Sequence, residues 1–104
     1  MTPPVDVLVA VPARDEQDSI MTCLDAVVTA AQEALATGTV GRVRVAVGAH
    51  RCRDRTVERA TALLRTSGLE HLVLSDRVSD TVGAVRSRVI TAAMSAGPPL
   101  EPVA

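Results

Sequence analysis

The sequence of 104 residues contains no phenylalanine, tyrosine or tryptophan. No aromatic ring is therefore available to stack on a nucleobase, which argues against nucleic-acid binders built on aromatic platforms. Lysine is absent too, so all eleven permanently cationic side chains are arginines. A phosphate-binding P-loop requires its lysine, and Schiff-base catalysis requires one as well, so both classes are excluded.

Cysteine is scarce, and the charges nearly balance. Cys23 and Cys52 lie far apart and do not form a metal-binding spacing, so free thiols in a reducing compartment are expected. The formal net charge of −1 provides no global field that would attract nucleic acid or a membrane surface. The opening residues do not form a signal peptide, and no apolar run reaches the length of a membrane span. These features predict a cytoplasmic protein that binds no nucleic acid.

Hydrophobic residues make up 47% of the sequence, which is typical of a globular domain. Short β-branched runs predict strands at 5–11, 42–48 and 71–75, and apolar residues at helical spacing predict helices at 17–36, 54–66 and 81–95. This alternation predicts an α/β fold, a three-layer β-α-β-α-β-α Rossmann-like half with a short parallel sheet. The domain is expected to span residues 1–96, followed by an irregular proline-rich tail at 97–104.

Three predictions concern individual residues of the first strand and helix. Pro12 should end the strand, because proline cannot donate a hydrogen bond to a neighbouring strand. Asp15 and Glu16 should serve the N-terminus of the first helix. Cys23 has helical spacing from Ile20 and should fill part of the core.

A polar segment follows each predicted strand: PARDE at 12–16, GAHRCRD at 48–54 and SDRVSD at 75–80. Ligands of parallel α/β sheets bind beyond the carboxyl ends of the strands, so these segments should converge on a binding crevice. Arg51, Arg53 and Arg55 lie close to the start of a helix, where their charge and the helix dipole would both favour a phosphate group. The alternative is a cationic patch that is simply solvated. A metal site formed by Asp76 and Asp80 is disfavoured by their spacing.

The same segments resemble family 2 glycosyltransferases, which have the nucleotide-diphospho-sugar transferase fold. VLVAVPARDEQDSIMTCLDAV is similar to the family's first strand and helix, often V-x-I-P-A-R-N-E-x-x-x-I-x-x-C-L. HRCRDRT is similar to a variant of the family's acidic turn that ends in D-R-C-T-D-R-T, and VGAVRSRVITAAM is similar to the segment G-x-A-R-N-x-G. The resemblance covers residues 5–95 and implies the N-terminal, nucleotide-binding portion of such an enzyme.

For the first segment and for His50, the resemblance implies nucleotide recognition. Pro12, Ala13 and Arg14 would wrap the base through backbone groups, and His50 stands where the family usually has an aspartate that accepts a hydrogen bond from uracil N3. A neutral imidazole still accepts one hydrogen bond, whereas an imidazolium only donates, so binding would depend on protonation and tautomer. The alternative for His50 is a solvated loop residue.

Asp54 and Arg86 are the other residues that the resemblance assigns to nucleotide binding. Asp54 matches the last acid of the family's turn, although a helix cap beside Thr56 would also explain it. Arg86 matches an arginine near the nucleotide, although an exposed or ion-paired side chain is the alternative. The ligand implied by the resemblance is a UDP- or GDP-linked sugar.

The sequence departs from the family in its chemistry. It contains no D-x-D motif, which would hold Mg²⁺ or Mn²⁺ against the diphosphate, and it shows no acceptor half with a catalytic base. No metal, cofactor or catalytic residue is therefore expected within this chain, and the chain alone should be inactive.

Two other classes of function are alternatives to nucleotide-sugar binding. The first is a non-catalytic remnant or protein-interaction module that self-associates through an exposed sheet edge. The second is a dinucleotide-binding oxidoreductase, which is disfavoured because no G-x-G-x-x-G follows the first strand.

Overall fold

The structure is a computed structural model that describes residues 4–97. Strands and helices alternate along this range: β1 Val5–Ala13, α1 Ile20–Ala36, β2 Val40–His50, α2 Thr56–Ser67, β3 Glu70–Asp76 and α3 Val82–Ser95. Within it, the strands form a parallel sheet in the order β1-β2-β3. The predicted α/β fold is confirmed, while the part of the predicted tail that follows Gly97 lies outside the described residues.

β2 lies in the centre of the sheet and is apolar on both faces over most of its length. Every residue from Val43 to His50 is buried. Val43, Val45 and Val47 belong to the core beneath α1 and α2, whereas Ala46 packs against α3. Because the strand is covered on both faces, its sequence shows a nearly continuous apolar run instead of a polar alternation.

The helices cover the sheet from both sides. α1 and α2 lie on one face, where Leu24 and Leu64 are fully buried. Right-handed crossovers between neighbouring parallel strands return the chain to the same side, which explains their shared face. α3 lies on the other face and contacts mainly β2 and β1, with Val89 and Ala93 fully buried. None of the helices in the described range is both long enough and apolar enough to cross a membrane.

Gly48 sets the distance between α3 and the sheet. A side-chain carbon at this position would lie 2.8 Å from Val85 Cγ1 and 3.3 Å from Val89 Cβ. Both valines are fully buried, so neither can swing into solvent to make room. Glycine therefore allows α3 to approach β2 closely.

At the amino end of the sheet, arginines of β2 hold β3 and α3 in place. Arg42 donates to Glu70 from Nε at 2.9 Å and from Nη2 at 2.8 Å, as a bidentate ion pair. Arg44 is only 2% exposed, and it donates to Glu70 Oε1 at 2.9 Å and to the Ala93 carbonyl at 2.6 Å. The hydrogen bonds from Arg42 lower the pKa of Glu70 to about 2, with desolvation opposing them and Arg44 adding to them.

Several predicted boundaries are wrong. Pro12 does not end β1 but lies within it, opposite Gly48. Proline is tolerated there because β1 is at the edge of the sheet, where its missing N–H can face outward. β2 continues two residues further than predicted, to His50. α1 and α2 begin later than predicted, at Ile20 and Thr56, because the residues before them form hydrogen bonds between loops.

The expectation that Cys23 fills part of the core is wrong as well. Its side chain is exposed, although Ile20 and Leu24 on the same helix are buried. Cys23 borders a shallow hollow that Val11 and Pro12 also line, so this flank of α1 is left open. Both cysteines are free, as expected.

Candidate functional site

Three loops meet at the carboxyl end of the sheet, a first loop (residues 14–19), a second loop (51–55) and a third loop (77–81). Because the strands are parallel, the chain leaves each of them at the same edge. The Arg53 amide donates to Asp15 Oδ1 at 2.7 Å, which joins the second loop to the first. Arg77 Nη2 donates to the Cys52 carbonyl at 2.9 Å, which joins the third loop to the second. The loops therefore converge as the topology predicts.

The first and second loops exchange backbone and side-chain hydrogen bonds. The Gln17 amide donates to Asp54 Oδ2 at 3.1 Å, and the Arg55 amide donates back to Gln17 Oε1 at 3.0 Å. The Glu16 amide donates to Thr56 Oγ1 at 2.8 Å. These loop amides have no partner in a strand or helix, and each finds its hydrogen-bond acceptor in the other loop. The two loops therefore hold each other in place.

The predicted roles of Asp15 and Glu16 at the start of α1 separate in the structure. Asp15 does not cap α1, because its carboxylate accepts the Arg53 amide and its backbone has a left-handed φ of 49°. Glu16 does serve the helix, since its carbonyl accepts the amides of Ser19 and Ile20. Its carboxylate also accepts a hydrogen bond from the Ser19 hydroxyl at 2.7 Å.

Asp54 joins the start of α2 to the first loop. One carboxylate oxygen accepts the amide of Thr56, the first residue of α2, at 3.0 Å, and also the Thr56 hydroxyl. The other oxygen accepts the Gln17 amide. Desolvation acts to raise the pKa of Asp54, but the hydrogen bonds from Thr56 and Gln17 outweigh it and lower the pKa. The carboxylate is therefore ionised and engaged by protein donors, but the N-cap position that the alternative assigned to Asp54 belongs to Arg55, which forms no side-chain cap hydrogen bond.

Asp76 organises the third loop from a fully buried position. Its Oδ1 accepts the amides of Val78 and Ser79, each at 2.9 Å, and its Oδ2 accepts the Ser79 hydroxyl at 2.7 Å. Arg88 of α3 adds an ion pair at 2.9 Å. The bonds from Ser79 are the main reason that the pKa of Asp76 lies far below its usual range. Asp80 is exposed and pairs with Arg51, so the two acids have different partners.

A cleft of about 210 Å³ opens between the first loop, the end of β2 and the start of α3. It is lined by Pro12, Ala13, Arg14, Glu16, His50, Val82 and Val85. Four of the six residues predicted to bind a nucleotide are in this set. The other two do not line it, because Asp54 is engaged between the loops and Arg86 is exposed on α3.

His50 lies at the inner end of the cleft and is not the solvated loop residue of the alternative interpretation. It ends β2, is 5% exposed, and its Nε2 lies 2.7 Å from the Ser79 carbonyl. A carbonyl only accepts hydrogen bonds, so Nε2 carries a proton and, in the neutral ring, Nδ1 is the acceptor. Among the described residues Nδ1 has no hydrogen-bond partner. It is also not fully buried, because in residues 4–97 the one side-chain nitrogen or oxygen that is both buried and unpaired is Arg51 Nε.

The outer part of the cleft carries positive character. Val82 and Gly83 form the first turn of α3, where backbone amides have no partner within the helix and the helix dipole is positive. Thr81 caps this turn by accepting the Ala84 amide at 3.1 Å. Arg14 is exposed and forms no ion pair with any residue in the range 4–97. The cleft can thus receive a group that is polar at its inner end and apolar along its sides, and its lining carries both the cationic Arg14 and the acidic Glu16.

Three residues that were not predicted to bind a ligand also line the cleft: Glu16, Val82 and Val85. Val85 is fully buried against Gly48 of β2, whereas Val82, one turn earlier on α3, is 53% exposed. Their position beside the first loop follows from the crossing of α3 over β2 and β1, which no local pattern indicates.

The arginines of the second loop do not form a shared anion site. Arg51 pairs with Asp80 at 2.9 Å, and Arg55 pairs with Glu58 at 3.2 Å. Arg53 is exposed, and its backbone amide is used by the first loop. Two of the three arginines that could have bound a phosphate at this helix start are therefore paired with acids.

One group of side chains in the loops has a composition that could bind a metal. The ligand atoms of Asp15, Cys52 and Asp54 all lie within 4.8 Å of one another. Each already accepts a backbone hydrogen bond, from Arg53, from Asp15 at 3.4 Å and from Gln17 respectively. Cys52 is also buried and donates to the Ala13 carbonyl. In this structure these atoms fasten the first and second loops together.

Comparisons with protein-family models, with curated proteins and with solved structures found no match. The family resemblance of the loop segments therefore stays a prediction.

Proposed function

We propose that this chain is a glycosyltransferase-like domain that binds a nucleoside diphosphate sugar in the cleft. The observation that supports the proposal is that Pro12, Ala13, Arg14 and His50, distant in sequence, line one cleft at the carboxyl end of the sheet. Ligands of open α/β sheets bind at this position. The loop hydrogen bonds keep the cleft formed without a ligand, which favours binding.

The chemistry of the cleft suits a pyrimidine base at its inner end. Pro12, Ala13, Val82 and Val85 provide apolar contacts for the faces of a planar ring. His50 Nδ1 provides an acceptor for an N–H on its edge, such as N3–H of uracil. Sites for whole small molecules span about 300–1,000 Å³, so a cleft of about 210 Å³ admits the base and leaves the rest of the nucleotide outside.

The phosphates would then lie at the mouth of the cleft. Arg14 and the first turn of α3 provide charge and free amides there, both of which favour phosphate. The described residues do not fit the family's divalent cation, because the only nearby group of possible ligands is occupied by amide hydrogen bonds. The proposed role of the chain is therefore binding and orientation of the donor, with no step that passes through a metal.

Isothermal titration calorimetry with UDP, CDP and GDP tests the proposal. UDP should bind more tightly than CDP by at least about tenfold, because cytosine N3 is an acceptor and would face the acceptor Nδ1 of His50. A 3-methyluridine diphosphate, which lacks the N3–H, should lose affinity in the same way. No measurable binding of any of these nucleotides or of their sugar conjugates would contradict the proposed function.

Two variants locate the ligand. His50→Leu removes the acceptor Nδ1, together with the donor to the Ser79 carbonyl, so it should abolish the preference for UDP over CDP. Arg14→Gln should weaken UDP binding more than uridine binding, because the guanidinium acts on the phosphates. Arg65→Gln, an exposed change in the last turn of α2, is the matched control and should leave both unchanged. Equal binding by all variants would place the nucleotide elsewhere.

The chain alone should not transfer sugar. A transferase assay with UDP- and GDP-sugars and Mn²⁺ should give no turnover, because the sequence lacks the D-x-D motif of the family. Robust turnover would show that this chain contains catalytic groups that the proposal does not assign.

The second candidate function is a protein-interaction module. It is favoured by a different observation, namely that β1 has no neighbour on its outer side among the described residues. An open strand edge presents unpaired amides and carbonyls that another strand can bind. This candidate does not require a nucleotide, so the two functions can be tested separately.

A further inference from the structure

The two edges of the sheet differ in how well they are protected against pairing. β3 carries exposed His71 and partly exposed Glu70, and charged or polar residues on an edge strand oppose association. β1 carries Asp6 as its one charged residue, and that side chain is 9% exposed with Arg42 Nη1 at 3.7 Å. β1 is also two residues longer than β3. Within residues 4–97, β1 is therefore the less protected of the two sheet edges.

An apolar groove of about 320 Å³ runs beside the β1 edge on the face that α1 covers. All its lining residues are valine or alanine: Val7, Val9, Val27, Ala30, Ala31, Ala34, Val40 and Val43. The described part of the chain thus leaves both the backbone edge and the apolar face of β1 incompletely covered. An exposed apolar surface that continues onto an open strand edge is typical of an interaction site.

Pro12 indicates which amides of β1 face outward. Proline lies in a paired strand only where its nitrogen points away from the partner, and Pro12 lies opposite Gly48 in the β1–β2 pair. Backbone direction alternates along a strand, so the amides of Leu8 and Ala10 face outward as well. These two amides are available to a strand that approaches from outside.

We propose that two copies of this chain associate through their β1 strands, which pair antiparallel and form one continuous sheet. The twofold axis is perpendicular to the sheet, so both α1 helices lie on the same face and the two apolar grooves join across the axis. The nearly uncharged edge of β1 suits this partner, because an identical strand meets it with valine, leucine and alanine and without repulsion between like charges. The association needs no nucleotide and is independent of the cleft.

Sedimentation velocity over about a hundredfold range of protein concentration tests the dimer, since its population follows mass action. Wild type should shift from monomer to dimer without any nucleotide. Ala30→Glu places a charge on the exposed wall of the groove and should weaken the dimer at least tenfold, about the effect of burying an unpaired charge. Ala62→Glu, an exposed change on α2 away from the groove, is the matched control and should dimerise like wild type.

Amide hydrogen exchange measured by NMR identifies the strand that pairs. In the dimer, the amides of Leu8 and Ala10 should exchange at least tenfold more slowly than in the monomer, because the partner strand covers them. Circular dichroism establishes that Ala30→Glu is folded. A wild type that stays monomeric throughout, a dimer that survives Ala30→Glu, or protection in β3 instead of β1 would each overturn the proposal. Failure of nucleotide binding would leave it unaffected.

Discussion

Replacing Gly48 by alanine should destabilise the fold measurably. The new methyl group would lie 2.8 Å from Val85 Cγ1, a distance at which one of the two must move. Overpacking a filled core costs about 1–3 kcal/mol, whereas removing a glycine from the unfolded chain gains about 0.4–1 kcal/mol. The net loss in the free energy of unfolding should be about 1–2 kcal/mol, which lowers Tm by about 5–15 °C for a domain of this size.

Thermal unfolding followed by far-ultraviolet circular dichroism provides the measurement, since the chain has no aromatic residue for fluorescence. Gly83→Ala is the matched control, because its methyl group would meet nothing closer than Thr81 Oγ1 at 3.9 Å. It lies in the first turn of α3, where alanine should stabilise by up to about 1 kcal/mol. The two Gly-to-Ala changes should therefore shift Tm in opposite directions.

A double-mutant cycle shows whether the contact with α3 is the cause. Adding Val85→Ala to Gly48→Ala removes the closest obstructing methyl group, so Gly48→Ala should cost less in that background. An unchanged or raised Tm for Gly48→Ala, or an equal cost in both backgrounds, would refute the proposed close packing of α3 on β2.

Two further predictions concern the amino end of the sheet and the thiols. Glu70→Gln should lower the free energy of unfolding by about 1–3 kcal/mol at pH 7, because it leaves buried Arg44 without its carboxylate partner. Since the folded pKa of Glu70 is about 2 and its ordinary value is 4.5, wild type loses this advantage as the pH falls from about 4.5 to 2. Urea unfolding at several pH values measures it, and a gap between wild type and variant that persists unchanged at pH 2 would contradict it. Cys23 should react with a thiol reagent under native conditions and Cys52 only after denaturation, as peptide mass spectrometry can show; equal rates would contradict the burial of Cys52.

The order of strands and helices could be predicted from the sequence because it depends on local patterns. Runs of valine and the 3.6-residue spacing of apolar residues mark each element, and alternation implies a parallel sheet. The helix starts could not be predicted in the same way. Asp15 has the composition of a helix cap, but its carboxylate binds the Arg53 amide, a partner 38 residues away. The start of α1 therefore depends on hydrogen bonds between loops that are remote in sequence.

Local sequence patterns also did not predict which residues are buried at the candidate site. His50 follows small residues and precedes a charged run, so no local pattern indicates where β2 ends. Its pairing with Asp76 of β3 keeps His50 in the sheet. Cys23 has the spacing of a core residue, yet the flank of α1 beside β1 lacks a described neighbour. Which residues line the cleft depends on how α3 crosses the sheet, a tertiary property.

α3 is attached to β2 through contacts near both of its ends. His50 binds the Ser79 carbonyl just before the helix, and Arg44 binds the Ala93 carbonyl in its last turn. Sliding or tilting of the helix would break one of these buried bonds, so the valine wall of the cleft should remain stationary on the timescale of ligand encounter. Occupancy would then proceed in a single kinetic step, with an observed rate that rises linearly with ligand concentration and shows no plateau from a preceding rearrangement.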